Sequence, residues 1–324
     1  PADIQYKYER MRGRRVLLLS GSDEHGTPIT VTADETGKSP QEIVDENHTA
    51  ILDSLLKLGC SWGDNIDSRG VDYGGALYGR TSDSRHHELV QGVILELHEK
   101  GFLERKTMEQ FCSIRDNGDI QFLPDRYVLG KCPRCSSDGA RGDQCDSCGS
   151  TYEADELIEP VSKLNPEDPV EIRETDHLFF RLDLLQKDLE DHASERQRVW
   201  KPNVRSMTKN WLDMGLRPRA VTRDIEWGVS IPLEGDVWVS KRVYVWFDAV
   251  QGYLTCARIW AEQYASKSDD GADEDIWKKW WIHEESLKHV YFMGKDNIPF
   301  HTIIWPAILL ALNTGKDEHE KLHL

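Results

Sequence analysis

Residues 15–28 read RVLLLSGSDEHGTP, and this stretch decides the fold class of the first part of the chain. The apolar run over residues 16–19 predicts a short buried strand, which stops at Gly21. Polar residues from Ser22 to His25 follow directly, so the predicted strand ends in a polar tip. Ligands of parallel α/β sheets collect beyond the carboxyl ends of the strands, so this tip is a candidate binding element.

Two helices are predicted after this strand. Residues 39–42, SPQE, have a capping-box pattern with proline at the first helical position, and an apolar helix face then continues to Gly59. A second helix is predicted over residues 84–101. A strand followed by helices is typical of an α/β protein.

The same alternation returns in the last third of the chain. Strand-like runs occur at residues 219–222 (RAVT), 242–247 (RVYVWF) and 289–294 (HVYFMG), and the last two precede helical patterns. Strands that alternate with helices predict a parallel sheet with crossover connections. Residues 105–152 interrupt this pattern with aromatic residues, glycines and cysteines, as a small inserted subdomain would.

Four of the seven cysteines form two CxxC pairs, Cys132 with Cys135 and Cys145 with Cys148. Two CxxC turns supply the four thiolates that a tetrahedral zinc ion takes, whereas a disulfide framework would need a different pattern. A site with four thiolates is closed, so we predict one structural zinc ion per chain. The alternative is four reduced cysteines without a metal.

The charge of the chain disfavours one class of protein. With 57 acidic and 40 basic residues the formal net charge is −17, which argues against a nucleic-acid-binding module. Either a basic surface lies on a segment outside this sequence, or the acidity is an adaptation to high salt. The longest apolar stretch, residues 303–312, is about half of the roughly 20 residues needed to span a bilayer. No membrane span or secretory signal is predicted, and a cytoplasmic location is expected.

Seven segments in order resemble a known family: DEHGTP, FLPDRYVLGKCPRC, RGDQCDSCG, RETDHLFF, TRDIEWG, VYVWFDA and GKDNIPFHTIIWPA. Together they resemble the class I aminoacyl-tRNA synthetases, and most closely the methionyl-tRNA synthetase family. The resemblance implies a Rossmann-like parallel sheet with helices on both faces, split by a connective-peptide insertion that carries the zinc knuckle. It places the first half of the catalytic domain at residues 1–106, the insertion at 107–215 with the knuckle at about 128–153, and the second half at 216–324.

The resemblance also implies the amino-acid site. Asp23 accepts hydrogen bonds from the substrate ammonium, which suits a carboxylate. Trp246, Ala249, Tyr253 and His301 line the side-chain pocket, where aromatic rings suit a polarizable thioether. For Trp246 and Tyr253 the alternative is plain core packing.

The remaining implied residues concern the nucleotide and catalysis. Arg223 contacts the α-carboxylate or a phosphate, and Gly294 and Asp296 contact the adenosine part of ATP. Lys295 is placed as their neighbour, so the implied catalytic set is Arg223, Lys295 and Asp296. ATP is expected as a substrate together with Mg²⁺.

The implied reaction is activation of L-methionine with ATP to methionyl-adenylate, followed by transfer to tRNA(Met). The HIGH and KMSKS signatures of the family do not occur in residues 1–324, and we expect them before Pro1 and after Leu324 in a longer parent. Residues 1–324 alone are therefore expected to be inactive or nearly so. Val250 and Gln251 also depart from the proline and isoleucine that the family often has.

Two alternatives are an inactive synthetase-like paralogue and a zinc-ribbon module that binds nucleic acid. The cysteine knuckle has basic and acidic residues in balance, which disfavours the second alternative. These residues are Lys131, Arg134, Arg141, Asp138, Asp143 and Asp146.

Overall fold

The computed structural model describes residues 1–62, 69–114, 118, 120–123, 127–141, 145, 147–148, 156–265, 275–282 and 286–324. Its described helices are α1 (Ala2–Met11), α2 (Thr27–Thr36), α3 (Pro40–Lys57), α4 (Ser84–Glu99), α5 (Gln186–Arg196), α6 (Pro202–Asp213), α7 (Val245–Asp248), α8 (Gly252–Ala265), α9 (Lys278–Trp281) and α10 (Trp305–Asn313). The helix predicted from the capping box is confirmed as α3, in which the Ser39 side chain accepts from the Glu42 amide. The helix predicted over residues 84–101 is confirmed as α4.

A parallel strand pair lies at the start of the chain. Strand β1 (Val16–Ser22) pairs with β2 (Gly74–Arg80), so that Ser22 lies opposite Arg80 at the carboxyl ends. Because side chains alternate along a strand, Leu18 packs with Tyr6 of α1 on one face. Leu17 and Leu19 pack toward α8 on the other face. The predicted α/β fold with a parallel sheet is confirmed for this pair, and helices cover both of its faces.

Glycines let α8 lie directly on β2. A Cβ added to Gly79 would lie 2.5 Å from the Cys256 Sγ, and one added to Gly75 would lie 2.8 Å from the Trp260 Nε1. The residue numbers rise along α8 as they fall along β2, so the helix runs antiparallel to the strand. The first turn of α8, with Tyr253, is therefore at the carboxyl end of β2.

The later strands pair antiparallel in the described residues. Strands β3 (Leu103–Ile114), β4 (Ile120–Phe122), β8 (Val170–Phe180) and β9 (Arg219–Ala220) form a sheet in the order β4-β3-β8-β9, and β10 (Thr222–Asp224) pairs with β11 (Lys241–Val243). A three-stranded sheet has the order β6-β5-β7, with β5 at Val128–Lys131, β6 at Ala140–Arg141 and β7 at Ile158–Ser162. Long strands thus run through part of the segment predicted to be irregular.

Two strand predictions in the last third are wrong. The run over residues 242–247 is a strand only to Val243 and turns into α7 at Val245. The run over 289–294 joins no strand ladder among the described residues. A short apolar run cannot be assigned to a buried strand or a buried helix from its periodicity alone, and this ambiguity explains the first error. The parallel sheet of the described residues is therefore the β1–β2 pair.

The largest apolar core lies between α4, α10 and the carboxyl-terminal half of β8. Ile94 and Leu97 of α4, Phe180 of β8 and Trp305 and Ile308 of α10 are almost completely buried there. This core holds α10 in place behind the segment that carries His301. In the described part of the chain, no helix is both long and apolar enough to cross a bilayer.

Candidate functional site

Glu24 fixes the loop that follows β1. Its side chain is buried, and its Oε2 accepts from the Arg80 Nε at 2.8 Å while its Oε1 accepts from the Ser22 hydroxyl at 2.5 Å. The Glu24 amide donates to the Thr81 hydroxyl at 2.9 Å, and its carbonyl accepts from the Trp227 Nε1 at 2.7 Å. These bonds join the ends of β1 and β2, so the backbone of the loop is held at both carboxyl ends.

Asp23 precedes Glu24 and presents its side chain to solvent at the sheet edge. Protein atoms nevertheless crowd its carboxyl group. This burial, and after it the repulsion from a charged Asp248, raises the pKa of Asp23 to about 7, against an attraction to His25 that lowers it. An accessible carboxylate whose ionisation is costly gains from a cationic ligand, because the ligand compensates its charge.

The other side of this loop lies against α7. The His25 Nδ1 is 2.8 Å from the Asp248 Oδ2, and a Cβ on Gly26 would lie 3.4 Å from the Val245 side chain. On the same helix, Trp246 stacks on Phe300 with ring centroids 4.6 Å apart and ring planes inclined by 14°. The Asp23 loop and the predicted pocket residue Trp246 therefore belong to one packed unit.

Tyr253 and His301 are hydrogen-bonded to each other. The Tyr253 hydroxyl is 2.7 Å from the His301 Nε2, and the His301 Nδ1 is 2.9 Å from the Asn297 carbonyl oxygen. A carbonyl can only accept, so the Nδ1 carries the proton and the Nε2 accepts from the tyrosine. Burial, and then the nearby Cys256, raises the pKa of Tyr253 to about 12, so its hydroxyl stays protonated at neutral pH.

A π-helical turn at Phe300–Ile304 places His301 in this pair. Such turns are frequent at functional sites. Tyr291 lies edge-on to Tyr253 with ring centroids 5.1 Å apart and accepts from the Trp305 Nε1 at 3.0 Å. Tyr253, Tyr291 and His301 thus form an aromatic group, and Trp246 is linked to it through Phe300, the residue before His301. Ala249 lies in the turn that joins α7 to α8.

The predicted nucleotide residues lie farther along the same segment. Gly294, Lys295 and Asp296 are exposed, and the last two belong to a one-turn helix that ends at Asn297. In the described part of the chain no hydrogen bond or ion pair joins them to Asp23. They are linked to the aromatic group through Asn297, whose carbonyl holds His301.

Arg223 is held by carbonyl groups of β9 and of its own strand, β10. Its Nη1 donates to the carbonyls of Ala220 and Thr222 at 3.0 and 2.8 Å, and its guanidinium lies 4.1 Å from the Tyr244 ring centroid. Tyr244 immediately precedes α7, so Arg223 contacts the segment that carries Trp246.

A buried ion pair anchors the strand of Arg223. The Lys241 Nζ is 2.5 Å from the Asp224 Oδ1, and the two side chains are 3% and 8% exposed. The same Lys241 donates to the Thr175 hydroxyl at 2.7 Å, and the Asp224 Oδ2 is 3.2 Å from the His177 Nε2. This network ties β10 and β11 to β8, although the residues are far apart in the sequence.

The four CxxC cysteines meet as a cluster whose sulfur atoms lie within 4.8 Å of one another. The Sγ atoms of Cys132 and Cys148 are 3.8 Å apart, and those of Cys135 and Cys145 are 3.7 Å apart. Four sulfurs at about 2.3 Å from a central zinc ion would be about 3.8 Å apart in a regular tetrahedron. The spacing of these two pairs fits a tetrahedral metal site.

The donor chemistry around the cysteines agrees with such a site. The amides of Arg134 and Cys135 lie 3.3 and 3.4 Å from the Cys132 Sγ, as is usual around a negatively charged sulfur. Hydrogen bonds from Ser137, and then from the backbone, lower the pKa of Cys145 to about 6. At neutral pH Cys145 is therefore mainly in the deprotonated thiolate form, which a metal ion requires.

Sequence reasoning missed several residues of this site. Glu24 and His25 were visible as polar residues at a strand end, but nothing local connects them to Arg80 or Asp248. Phe300 was visible only as an apolar residue beside His301. The missing signal in each case is a pairing between residues distant in the sequence, which local patterns do not contain.

Known proteins match almost the whole chain, including the site residues described above. The family model for "tRNA synthetases class I (M)" matches residues 1–323. A methionine–tRNA ligase of Chlorobaculum tepidum is 42% identical over 98% of this chain and 42% of its own length. One of Thermoplasma volcanium is 44% identical over 96% of this chain and 52% of its own length.

A solved structure of Mycobacterium tuberculosis methionyl-tRNA synthetase, bound to methionyl-adenylate, matches 96% of this chain and 50% of its own. Its TM-score is 0.63 at 21% sequence identity, which shows a shared fold. The chain thus spans about half the length of the relatives that it matches. The family model covers almost every residue, and the chain therefore belongs to the class I tRNA synthetases of the M type.

Proposed function

We propose that this chain is the catalytic core of a methionyl-tRNA synthetase, whose parent activates L-methionine with ATP and transfers it to tRNA(Met). One observation carries the proposal: the Asp23 carboxylate and the Tyr253–His301 pair lie at the same end of the β1–β2 sheet. The first suits an ammonium group and the second suits a thioether, so together they fit the two ends of methionine.

The chemistry requires positioning and charge stabilisation more than a protein nucleophile. In the proposal Asp23 binds the ammonium, and Trp246, Ala249, Tyr253 and His301 enclose the side chain. Arg223 contacts the α-carboxylate or a phosphate. Gly294 and Asp296 contact the adenosine of ATP, with Lys295 beside them and Mg²⁺ as the expected counterion. Charging of tRNA makes the cytoplasm the expected site of action.

Methionine-dependent pyrophosphate exchange tests this function. We expect exchange by a longer parent that contains HIGH and KMSKS, and background exchange by residues 1–324 alone. Loss of even one preorganised donor at a transition state typically costs about 100-fold to 1000-fold in rate, and here two donor groups are expected to be lacking. Robust exchange by residues 1–324 would mean that the phosphate-binding residues are misplaced. A longer parent without either signature, and without exchange, would favour the inactive paralogue.

The zinc-ribbon module is the weaker alternative. The match to the synthetase family extends over residues 1–323, far beyond the cysteine cluster. We propose instead that the cluster lies within an insertion at about residues 107–215, between catalytic halves at 1–106 and 216–324. The first of these boundaries falls inside β3. Limited proteolysis should release a fragment that contains the knuckle if the insertion folds separately.

We also propose that Cys132, Cys135, Cys145 and Cys148 hold one structural zinc ion. Replacing Cys145 with serine removes one of the four donors, so we expect loss of the metal and local disorder around the knuckle. Elemental analysis should give one zinc per wild-type chain and almost none for the variant, while far-ultraviolet circular dichroism stays largely unchanged. Cys60→Ser, outside the cluster, is the control and should keep its zinc. Zinc-free wild-type protein, or complete unfolding of Cys145→Ser, would contradict this proposal.

A further inference from the structure

Asp248 is a carboxyl group that is completely enclosed by protein. Its side chain is 0% exposed, and the partner of its Oδ2 is the His25 Nδ1 at 2.8 Å. Its Oδ1 is also buried and has no hydrogen-bond partner in the described structure. No lysine or arginine forms an ion pair with Asp248 among the described residues. A buried carboxylate without a cation costs several kcal/mol, so the group is expected to hold a proton or to share one.

His25 links Asp248 to a second histidine. The His25 Nε2 is 3.2 Å from the His87 Nε2, with the two rings in an edge-on arrangement. Burial, and then the charge of His25, lower the pKa of His87 to about 4. Burial also lowers the pKa of His25 to about 4, so both rings are neutral at neutral pH and each carries one proton.

The unpartnered Asp248 Oδ1 indicates the direction of this chain of hydrogen bonds. In a neutral Asp248, a proton on Oδ1 would have no acceptor, so the proton lies on Oδ2 and is donated to the His25 Nδ1 at 2.8 Å. A neutral His25 that accepts at Nδ1 carries its one proton on Nε2. This Nε2 then donates to the His87 Nε2 at 3.2 Å.

The charges around Asp248 support the same assignment. Glu24 is compensated by Arg80, whose Nε lies 2.8 Å away, so its negative charge is paired. The titratable groups that interact with Asp23 or with the two histidines lie on three elements: the loop after β1, α4 with the residue before it, and α7. They are Asp23, Glu24, His25, Asp83, His86, His87 and Asp248. Of the carboxylates Asp23, Glu24 and Asp248, only Asp23 is left to carry an uncompensated charge if Asp248 is neutral.

We infer that Asp248 is stored as a neutral carboxylic acid and acts as a positioning residue. Its O–H donates a hydrogen bond to the His25 Nδ1 and so directs the His25 Nε2–H toward His87. Of the carboxyl groups Asp23, Glu24 and Asp248, only Asp23 is then left with an uncompensated charge that can bind an ammonium group. The role at the ammonium rests on the proposed function, but the protonation of Asp248 does not.

The ionisation behaviour of the neighbours is consistent with this inference. Burial raises the pKa of Asp248 well above its ordinary value. Burial also lowers the pKa of His25 to about 4, against the attraction of Asp23 and Glu24, so a neutral His25 is favoured over an imidazolium. A charge on Asp248 would raise the pKa of Asp23, and the stored proton removes this repulsion. The neutral acid therefore keeps Asp23 ionised to lower pH.

Infrared spectroscopy tests the protonation without any substrate. We expect a carboxylic-acid carbonyl band in the wild-type chain at about pH 9, where Asp23 is ionised, and loss of this band in Asp248→Asn. Asparagine has nearly the same shape, and its amide can donate to His25 as the acid does. The control Asp53→Asn, at an exposed position, should keep the band. If no band distinguishes the wild type from Asp248→Asn, Asp248 is ionised and the inference is overturned.

Nitrogen NMR of the wild-type chain covers the case in which Asp248→Asn fails to fold. The His25 ring should show a protonated Nε2 and a bare Nδ1 at neutral pH. A doubly protonated ring, paired with a carboxylate, would overturn the inference. The assignment of the His25 signal can be made by its absence from His25→Gln.

The pH profile of methionine affinity tests the positioning role. We expect affinity to increase as pH rises through the Asp23 transition, with the same midpoint in the wild type and in Asp248→Asn. If Asp248 carried a charge, its removal would shift the midpoint to lower pH by about one unit, and this result would overturn the inference. Absence of methionine binding in both proteins would instead contradict the proposed function, while the infrared and NMR results would still decide the state of Asp248.

Discussion

Replacing Lys241 with methionine is expected to lower the free energy of unfolding by about 3–5 kcal/mol, because it leaves the charge of Asp224 buried without its cation. Both side chains of this pair are less than a tenth exposed. The remaining neighbours of Asp224, His177 and Thr175, cannot replace the charge: burial keeps the pKa of His177 below its ordinary value, despite the hydrogen bond to Asp224 that raises it. Urea denaturation followed by circular dichroism measures the change.

A matched exposed lysine separates burial from charge. Lys209 forms an i,i+4 ion pair with Asp213, and the two side chains are 71% and 58% exposed. Lys209→Met should change stability by no more than about 0.5 kcal/mol, as is usual for surface ion pairs. Equal effects of the two substitutions would contradict the view that the Lys241–Asp224 pair anchors β10 and β11. Loss of this anchor should also release the strand that holds Arg223.

Replacing Asp23 with asparagine is expected to weaken methionine binding by about 1.5–3 kcal/mol, the usual value of a hydrogen bond to a charged group. This corresponds to a roughly 10-fold to 150-fold increase in Kd, which calorimetry can measure. The wild-type affinity should fall on acidification through the raised pKa of Asp23, because only the carboxylate binds an ammonium strongly. This pKa is about 7 with a charged Asp248 and lower with the neutral Asp248 inferred above. The asparagine variant should lose this pH dependence.

The same substitution should stabilise the unliganded chain at alkaline pH. Burial raises the folded-state pKa of Asp23 above its ordinary value of 3.8, to about 7 at most when Asp248 is neutral, so the folded chain binds more protons than the unfolded chain between the two pKa values. Stability therefore falls as pH rises through this window, and the full cost of the ionised group is present above the folded-state pKa. An increased Tm of Asp23→Asn at alkaline pH, together with weaker binding, would distinguish a binding group from a structural one. Asp53→Asn is the exposed control, and an equal loss of affinity there would contradict the assignment.

The sequence predicted those features that depend on neighbouring residues. The strand at residues 16–22 with its polar end, the capping box at Ser39 and the spacing of the two CxxC pairs are all local, and each is found in the structure. The aromatic run before Asp248 was misassigned because β-branched and aromatic residues suit both a buried strand and a buried helix turn.

The rest of the site depends on contacts between distant residues. Glu24 and Arg80 are 56 positions apart, and His25 and Asp248 are 223 positions apart. No periodicity in the chain carries such pairings. The resemblance to a family supplied the residues predicted to touch methionine and ATP, whereas the buried polar groups that orient them became visible only in three dimensions.

The two glycines of β2 that contact α8 set the distance between this helix and the strand. Because Gly75 and Gly79 have no Cβ, the Trp260 and Cys256 side chains of α8 lie directly on the β2 backbone, and this contact sets how close α8, with Tyr253, lies to the sheet. In the proposed site Tyr253 forms part of the pocket wall, and one methylene of the amino acid contributes only about 1–3 kcal/mol to selectivity. If α8 moved away by the length of one methylene group, the pocket would no longer reject a longer amino acid. In the proposed site, the glycine surface of β2 thus helps to set the size of the amino-acid pocket through the position of α8.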